Sequence, residues 1–99
     1  MKLRVSGRAR ARIRKQDEWW RGHRPDAPEL FKQELAIAFT RILRAPKVRQ
    51  QYGQIEGEPV RRVLMPKTEQ HVYYTVDEAA DEVTIETVWG ARRGRGPKL

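Results

Sequence analysis

The residues of this chain best suited to chemistry are basic. Arg61 and Arg62 stand side by side in a stretch of strand character, His71 opens the next such stretch, and Arg92 and Arg93 leave the end of a third. A guanidinium presents a planar fork that donates two parallel hydrogen bonds to a phosphate or carboxylate. An imidazole can exchange a proton near neutral pH. Brought to one place, such a set could grip a phosphodiester and move a proton beside it. Scattered, the same residues would be ordinary solvated strand positions. Because neighbours on a strand point to opposite faces, only one of Arg61 and Arg62 can serve any one face. Aromatic residues accompany them. Tyr73 and Trp89 could offer stacking faces, each worth about 1–3 kcal/mol per base of a single strand. Tyr74 alternates with Val72 and Val76 and reads as core. Trp19 and Trp20 are adjacent in a helical stretch, about 100° apart around its axis. One is expected to pack inward and the other to border a groove. Trp19, Trp20, Tyr73, Trp89, Arg92, Arg93 and Arg95 make the candidate binding surface for a target or partner.

Other chemistries find little support. The chain has no cysteine, so disulfides and thiolate metal sites are excluded, and two histidines are too few for a zinc site without carboxylate help. No metal and no cofactor is expected. Ser6 is the sole serine, with no histidine near it in sequence, and Gly94-Arg95-Gly96 opens no helix and so makes no nucleotide loop. The acids Asp77 to Glu82 fall in a turn, where they solvate the chain. No apolar run is long enough to span a bilayer, and the basic start lacks the apolar core of a signal peptide. A cytoplasmic protein with no membrane partner is the expectation.

Charge is distributed unevenly. The net charge is +8, with nine Lys/Arg against two acids over residues 1–24 and four Lys/Arg with no acid over residues 90–99. Two basic ends flank a mildly acidic middle, a field that favours nucleic acid, a ribosome or an acidic protein segment.

The elements that must position these groups follow from periodicity. Lys2 to Ser6 reads as a short strand. From about Gly7 to His23, Ala9, Ile13, Gln16 and Trp20 recur at helical spacing. Arg24 to Pro28 forms a turn, with Asp26 as the expected cap of a second helix and Glu29 as its capping-box partner. That helix runs to about Arg44, with Phe31, Leu35, Ala38 and Ile42 as its apolar stripe, and Pro46 stops it. Residues 47–59, with Gly53 and Gly57, read as a loop. Val60 to Met65, His71 to Val76 and Glu82 to Trp89 read as three strands of an antiparallel meander. In the last, Val83, Ile85, Thr87 and Trp89 should share one face. Residues 90–99 read as a basic tail, exposed or ordered only by a partner. The whole is one α+β domain over residues 1–99, β-α-α-β-β-β, with a helical hairpin on one face of a twisted antiparallel sheet.

This order resembles the RelE/ParE toxin superfamily, and so do particular segments. They are the helix beginning at Ala9 after the first strand; the stop Ile42-Leu43-Arg44-Ala45-Pro46; the arginine strand after Gly57, Val60-Arg61-Arg62-Val63-Leu64; the tyrosine strand His71-Val72-Tyr73-Tyr74; and the close Val88-Trp89-Gly90-Ala91-Arg92-Arg93. The resemblance spans nearly the whole chain. It implies the toxin of a type II toxin–antitoxin system, able to arrest growth, and a cognate antitoxin that holds it in a hetero-oligomer. It implies one of two targets. ParE-like members inhibit DNA gyrase by protein contact, and this branch is the expected one. RelE-like members are ribosome-dependent endoribonucleases that cut messenger RNA without a metal. On that alternative Arg61, Arg62, His71, Arg92 and Arg93 are the catalytic candidates. No Tyr or His follows Trp89, a departure from the RNA-cutting pattern.

Overall fold

A computed structural model describes residues 1–92 and 94–99. The elements are β1 (Lys2–Val5), α1 (Gly7–His23), α2 (Leu30–Arg44), β2 (Gln51–Ile55), β3 (Glu58–Met65), β4 (Gln70–Asp77) and β5 (Glu82–Gly90). The strands form one five-stranded sheet in the order β1-β5-β4-β3-β2. Neighbours pair antiparallel except β1 and β5, which run parallel, so the sheet is mixed rather than antiparallel throughout. The helical excursion between β1 and the rest of the chain makes the parallel pairing reachable.

The second helix buries the stripe its spacing dictates. Phe31, Leu35, Ala38 and Ile42 pack onto Val63, Met65, Val72, Tyr74, Val83, Ile85 and Val88 of the sheet. Its start differs from expectation. The helix begins at Leu30 with no side-chain cap, and Asp26 instead lies 3.8 Å from Arg24 in the preceding turn. A different acid anchors this helix. Buried Glu34 accepts hydrogen bonds from Lys67 N at 2.7 Å, Thr68 N at 2.8 Å and Thr68 Oγ1 at 2.6 Å, fastening the helix to the β3–β4 turn.

The first helix is capped by Ser6, whose Oγ accepts from Ala9 N at 3.0 Å. Beyond Ile85, β5 has no strand on its outer side, because β1 pairs only with residues 82–85. Helix α1 covers that edge. Ser6 Oγ donates to Glu86 O and Arg12 Nε to Val88 O, so two carbonyls of the strand edge are satisfied by α1 and its cap. Ala9 is buried, while Ile13, Gln16 and Trp20 are half-buried and Trp19 is largely exposed.

Two further corrections bear on the site. Residues 51–55, read from sequence as loop, form β2, a short polar edge strand beside Glu58–Arg61. Between Ile85 and Thr87 a bulge leaves Glu86 unpaired opposite the Tyr73–Tyr74 step. The extra residue reverses the strand's phase. Val83 and Ile85 face the helices, but then Val88 does, and Thr87 and Trp89 turn to the opposite, open face. The expected alternation through Trp89 fails at the bulge.

The basic tail also departs from expectation, because residues 94–99 lie on the chain's own sheet. Trp89 Nε1 on β5 donates to Arg95 O at 3.0 Å, Pro97 is buried, Gly96 abuts the Tyr52 hydroxyl and Leu99 reaches Gly53 on β2. The tail therefore spans the open face from β5 to β2. A Cβ on Gly96 would overlap the Tyr52 hydroxyl, and the Tyr52 ring is itself held against Tyr73. Gly96→Ala should lift the tail without unfolding the domain. Trypsin should then cut at Arg95 or Lys98 several-fold faster, with the main thermal transition moved by no more than about 1–2 kcal/mol. Unchanged digestion would show that the ring yields instead.

Candidate functional site

The open face of the sheet carries side chains from four strands. Antiparallel partners share a face, so the register places Arg62 beside Tyr73, Leu64 beside His71, and His71 beside Trp89. Tyr52 joins from β2. Its ring meets Tyr73 edge-on at 4.9 Å, and the Arg62 guanidinium lies 5.0 Å from the Tyr52 ring centre. Arg62 also makes a long 3.4 Å hydrogen bond to the Tyr73 hydroxyl, and the His71 ring stands 5.9 Å from Tyr73. The row reads Tyr52, Arg62, Tyr73, His71, Trp89 across the sheet.

The aromatic residues in this row have different tasks. Tyr73 is only 1% exposed, so it orients Arg62 from below and offers no stacking surface, contrary to its place among the sequence-based contact residues. Arg62 and His71 are half-buried, with part of each side chain reaching solvent. Burial and the neighbouring positive charge of Arg62 both lower the pKa of His71 from 6.5. The shift favours the neutral imidazole, the form that can accept a proton. The same shift couples to stability. A histidine whose folded pKa lies below its unfolded value stabilises the fold above pH 6.5 and loses that contribution as pH falls through the folded value. The urea midpoint should drop on acidification from pH 7, and drop less in His71→Gln. Equal slopes would show that other groups govern the acid limb.

Beside this row lies a basic cleft. Arg8, Trp89, Gly94, Arg95, Gly96 and Lys98 line a cavity of about 860 Å3. Its three cations come from α1 and the tail, and none forms an ion pair among the described residues. Trp89 forms its wall, with the Arg12 guanidinium 4.5 Å from the indole centre. Cations around an aromatic face are the combination that tracks a single-stranded nucleic acid backbone.

The sequence-predicted residues do not all converge. Arg62 and His71 share the open face with Trp89. Arg61 points to the helix side, where it donates to Arg49 O at 2.6 Å beside Tyr74, whose hydroxyl donates to Pro46 O at 2.7 Å. Those two bonds pin the α2–β2 connection, and burial raises the Tyr74 pKa. Arg92 lies at the end of the sheet in an ion pair of 2.7 Å with Glu69, near Trp19 and Trp20. Arg93 lies outside the described residues. Tyr52, Arg8 and Lys98 were not singled out from sequence. Tyr52 lay in the assumed loop, and the other two were lost among many surface cations. Among the described residues, no three His, Asp or Glu side chains gather as metal ligands, and no helix is long and apolar enough to cross a membrane.

No protein-family model matches the chain, and no curated protein matches it in sequence. Solved structures do match in shape. The isolated E. coli RelE toxin superposes with a TM-score of 0.60 at 18% identity, over 95% of this chain and 87% of that one. The chromosomal ParDE toxin–antitoxin system of P. aeruginosa gives 0.64 at 14% identity, over 93% and 97%. This chain has the RelE/ParE toxin fold. The intact E. coli RelBE toxin–antitoxin complex agrees, with a TM-score of 0.60 at 18% identity over 93% of this chain and 98% of that one. The RelE/ParE fold accounts for the layering of the helical hairpin on one side and for the open sheet face on the other. Likeness at this level leaves the side chains to argue the function.

Proposed function

We propose that the chain is the toxin of a type II toxin–antitoxin pair, restrained by a cognate antitoxin, and that it acts in the cytoplasm by cleaving RNA on the sheet face opposite the helices, alongside the tail that crosses it. The observation that carries the reading is the placement of Arg62 and His71 on one face as diagonal neighbours of β3 and β4, beside the cleft of Arg8, Arg95 and Lys98. The cleft cations hold successive phosphates, an electrostatic contribution indifferent to sequence. Arg62 holds the scissile phosphate and meets the charge that grows on it. His71 takes the proton of the 2′-hydroxyl. The 2′-oxygen then attacks phosphorus, the bond to the 5′-oxygen breaks, and that oxygen takes a proton from the imidazolium or from water. The product is a 2′,3′-cyclic phosphate. A neutral base is required, so the rate should stay level near pH 7 and fall only below 6.5.

Gyrase inhibition is the second reading, and one observation favours it. Arg61 faces the helices, which leaves the open sheet face with one arginine and one histidine where RNA-cutting relatives are expected to carry a fuller basic set. On that reading the cleft and the exposed Trp19 are protein contacts. The two are separated by running messenger RNA on translating ribosomes and gyrase supercoiling side by side with the same preparation. Cut messenger RNA with normal supercoiling supports the nuclease, and the reverse result replaces it with the gyrase inhibitor. Expression alone should arrest growth, and co-expression of the adjacent small open reading frame should relieve it. Harmless expression would remove the toxin reading itself.

A further inference from the structure

A second concavity adjoins the basic cleft through the Arg12–Trp89 pair, for Arg12 lines one and Trp89 the other. This cavity, about 480 Å3, is walled in part by Arg12, Gln16, Trp19, Trp20 and Gln70, with the Arg92–Glu69 ion pair also in its lining. Its size is that of a site for one small ring system and its attachments. Gln70, 5% exposed, donates its Nε2 to Gln16 Oε1 at 3.1 Å, and its own Oε1 has no partner among the described residues. A buried acceptor left unpaired is costly, and a ligand N–H would satisfy it. The same cavity is lined by two indoles, Trp19 and Trp20, edge-to-face with centroids 5.2 Å apart. His23 stacks on Trp19 at 4.2 Å and holds its ring in place, although Trp19 is 49% exposed.

We infer that this cavity takes one unstacked base of a single-stranded RNA whose backbone runs on into the Arg8–Arg95–Lys98 cleft. The inference rests on the RNA reading for its class of ligand, but on different residues. Single-stranded RNA is recognised by splaying a base onto aromatic or guanidinium planes and bonding its edge. Carboxamides match such edges because each presents a donor and an acceptor side by side. An apolar peptide side chain would fill the space and leave Gln70 Oε1 unpaired, so a base fits the wall better than a protein anchor does.

The test is binding of a labelled 2′-O-methyl oligo(A) hexamer, which cannot be cleaved, to the full chain by fluorescence anisotropy. Trp19→Ala and Gln70→Met should each weaken binding about tenfold or more. A hexamer series with one abasic position should contain a member that loses as much with the unsubstituted protein, and that member should lose little further with either variant. Gln70 is buried beside the turn, so if Gln70→Met fails to fold, Trp19→Ala, at an exposed position, decides the question alone. Hexamer affinity unchanged by Trp19→Ala would overturn the inference. So would a loss confined to antitoxin binding, which would make the cavity a protein-docking groove. Binding through the cavity while ribosomal messenger RNA stays intact would sink cleavage and keep the base site. Cleavage with hexamer binding blind to both variants would do the opposite.

Discussion

His71→Ala should lower RNA cleavage by about 10²–10⁴-fold, the usual contribution of a positioned acid–base group. The expectation follows from placement. His71 is the one described histidine on the open face, the other, His23, being stacked on Trp19 at the far end of α1. Burial and Arg62 favour its neutral form, the form that can act as a base. Arg62→Ala should cost about 10²–10³-fold, the scale seen when one donor to a developing anion is removed. It should also relieve part of the lowering of the His71 pKa and move the acid limb of the pH–rate profile upward. The two losses should not add, since both residues act on one phosphate. Arg61→Ala provides the contrast. Its guanidinium holds Arg49 O on the helix side, so it should reduce stability modestly and leave the rate per folded molecule unchanged. Each variant is to be assayed for antitoxin binding as a check of fold. Cleavage by His71→Ala at the unsubstituted rate would remove the mechanism, whatever the growth phenotype.

How much of this was legible in sequence depended on whether neighbouring residues alone decide the outcome. The α2 stripe of Phe31, Leu35, Ala38 and Ile42 was readable because helical spacing survives any tertiary arrangement. That one of Trp19 and Trp20 would turn inward was readable for the same reason, but which of them does so was not. The face of Trp89 was not, because a single unpaired residue, Glu86, reverses every later position, and a bulge leaves no mark in a Thr/Val/Glu strand. The choice between Arg61 and Arg62 was undecidable locally and is made by register, since Arg62 pairs with Tyr73 and Arg61 with Tyr74. Strand β2 was hidden by Gly53 and by polar residues that suit an edge. Missing it concealed Tyr52, and with it part of the reason the tail lies down, because Gly96 and Leu99 approach β2 at Tyr52 and Gly53. The antiparallel sheet was wrong at β1 alone, where pairing with the last strand spans almost the full chain length.

Glu34→Ala should destabilise the domain by about 2–4 kcal/mol, although a glutamate in a helix ordinarily tolerates replacement. Its two oxygens receive three donors, two of them backbone N–H groups of Lys67 and Thr68 and one the Thr68 hydroxyl. Glu34 and Thr68 are both buried, so removal of the carboxylate leaves donors that water cannot readily reach. At this chain length such a loss corresponds to a melting shift of roughly 10–25 °C. Glu34→Gln should lie between, because an amide oxygen can keep the hydroxyl and one N–H but its NH2 meets another donor. The consequence reaches the functional face through the turn. Residues 66–69 connect β3 to β4, and Gln70 and His71 follow directly, so a loosened turn shifts the start of β4 where both candidate sites draw a residue. Amide exchange at Thr68 and Gln70 should therefore quicken more in Glu34→Ala than exchange at Val83 or Ile85 on β5. A melting temperature within about two or three degrees of the unsubstituted protein would show that Glu34 is replaceable and that the turn is held by the sheet alone.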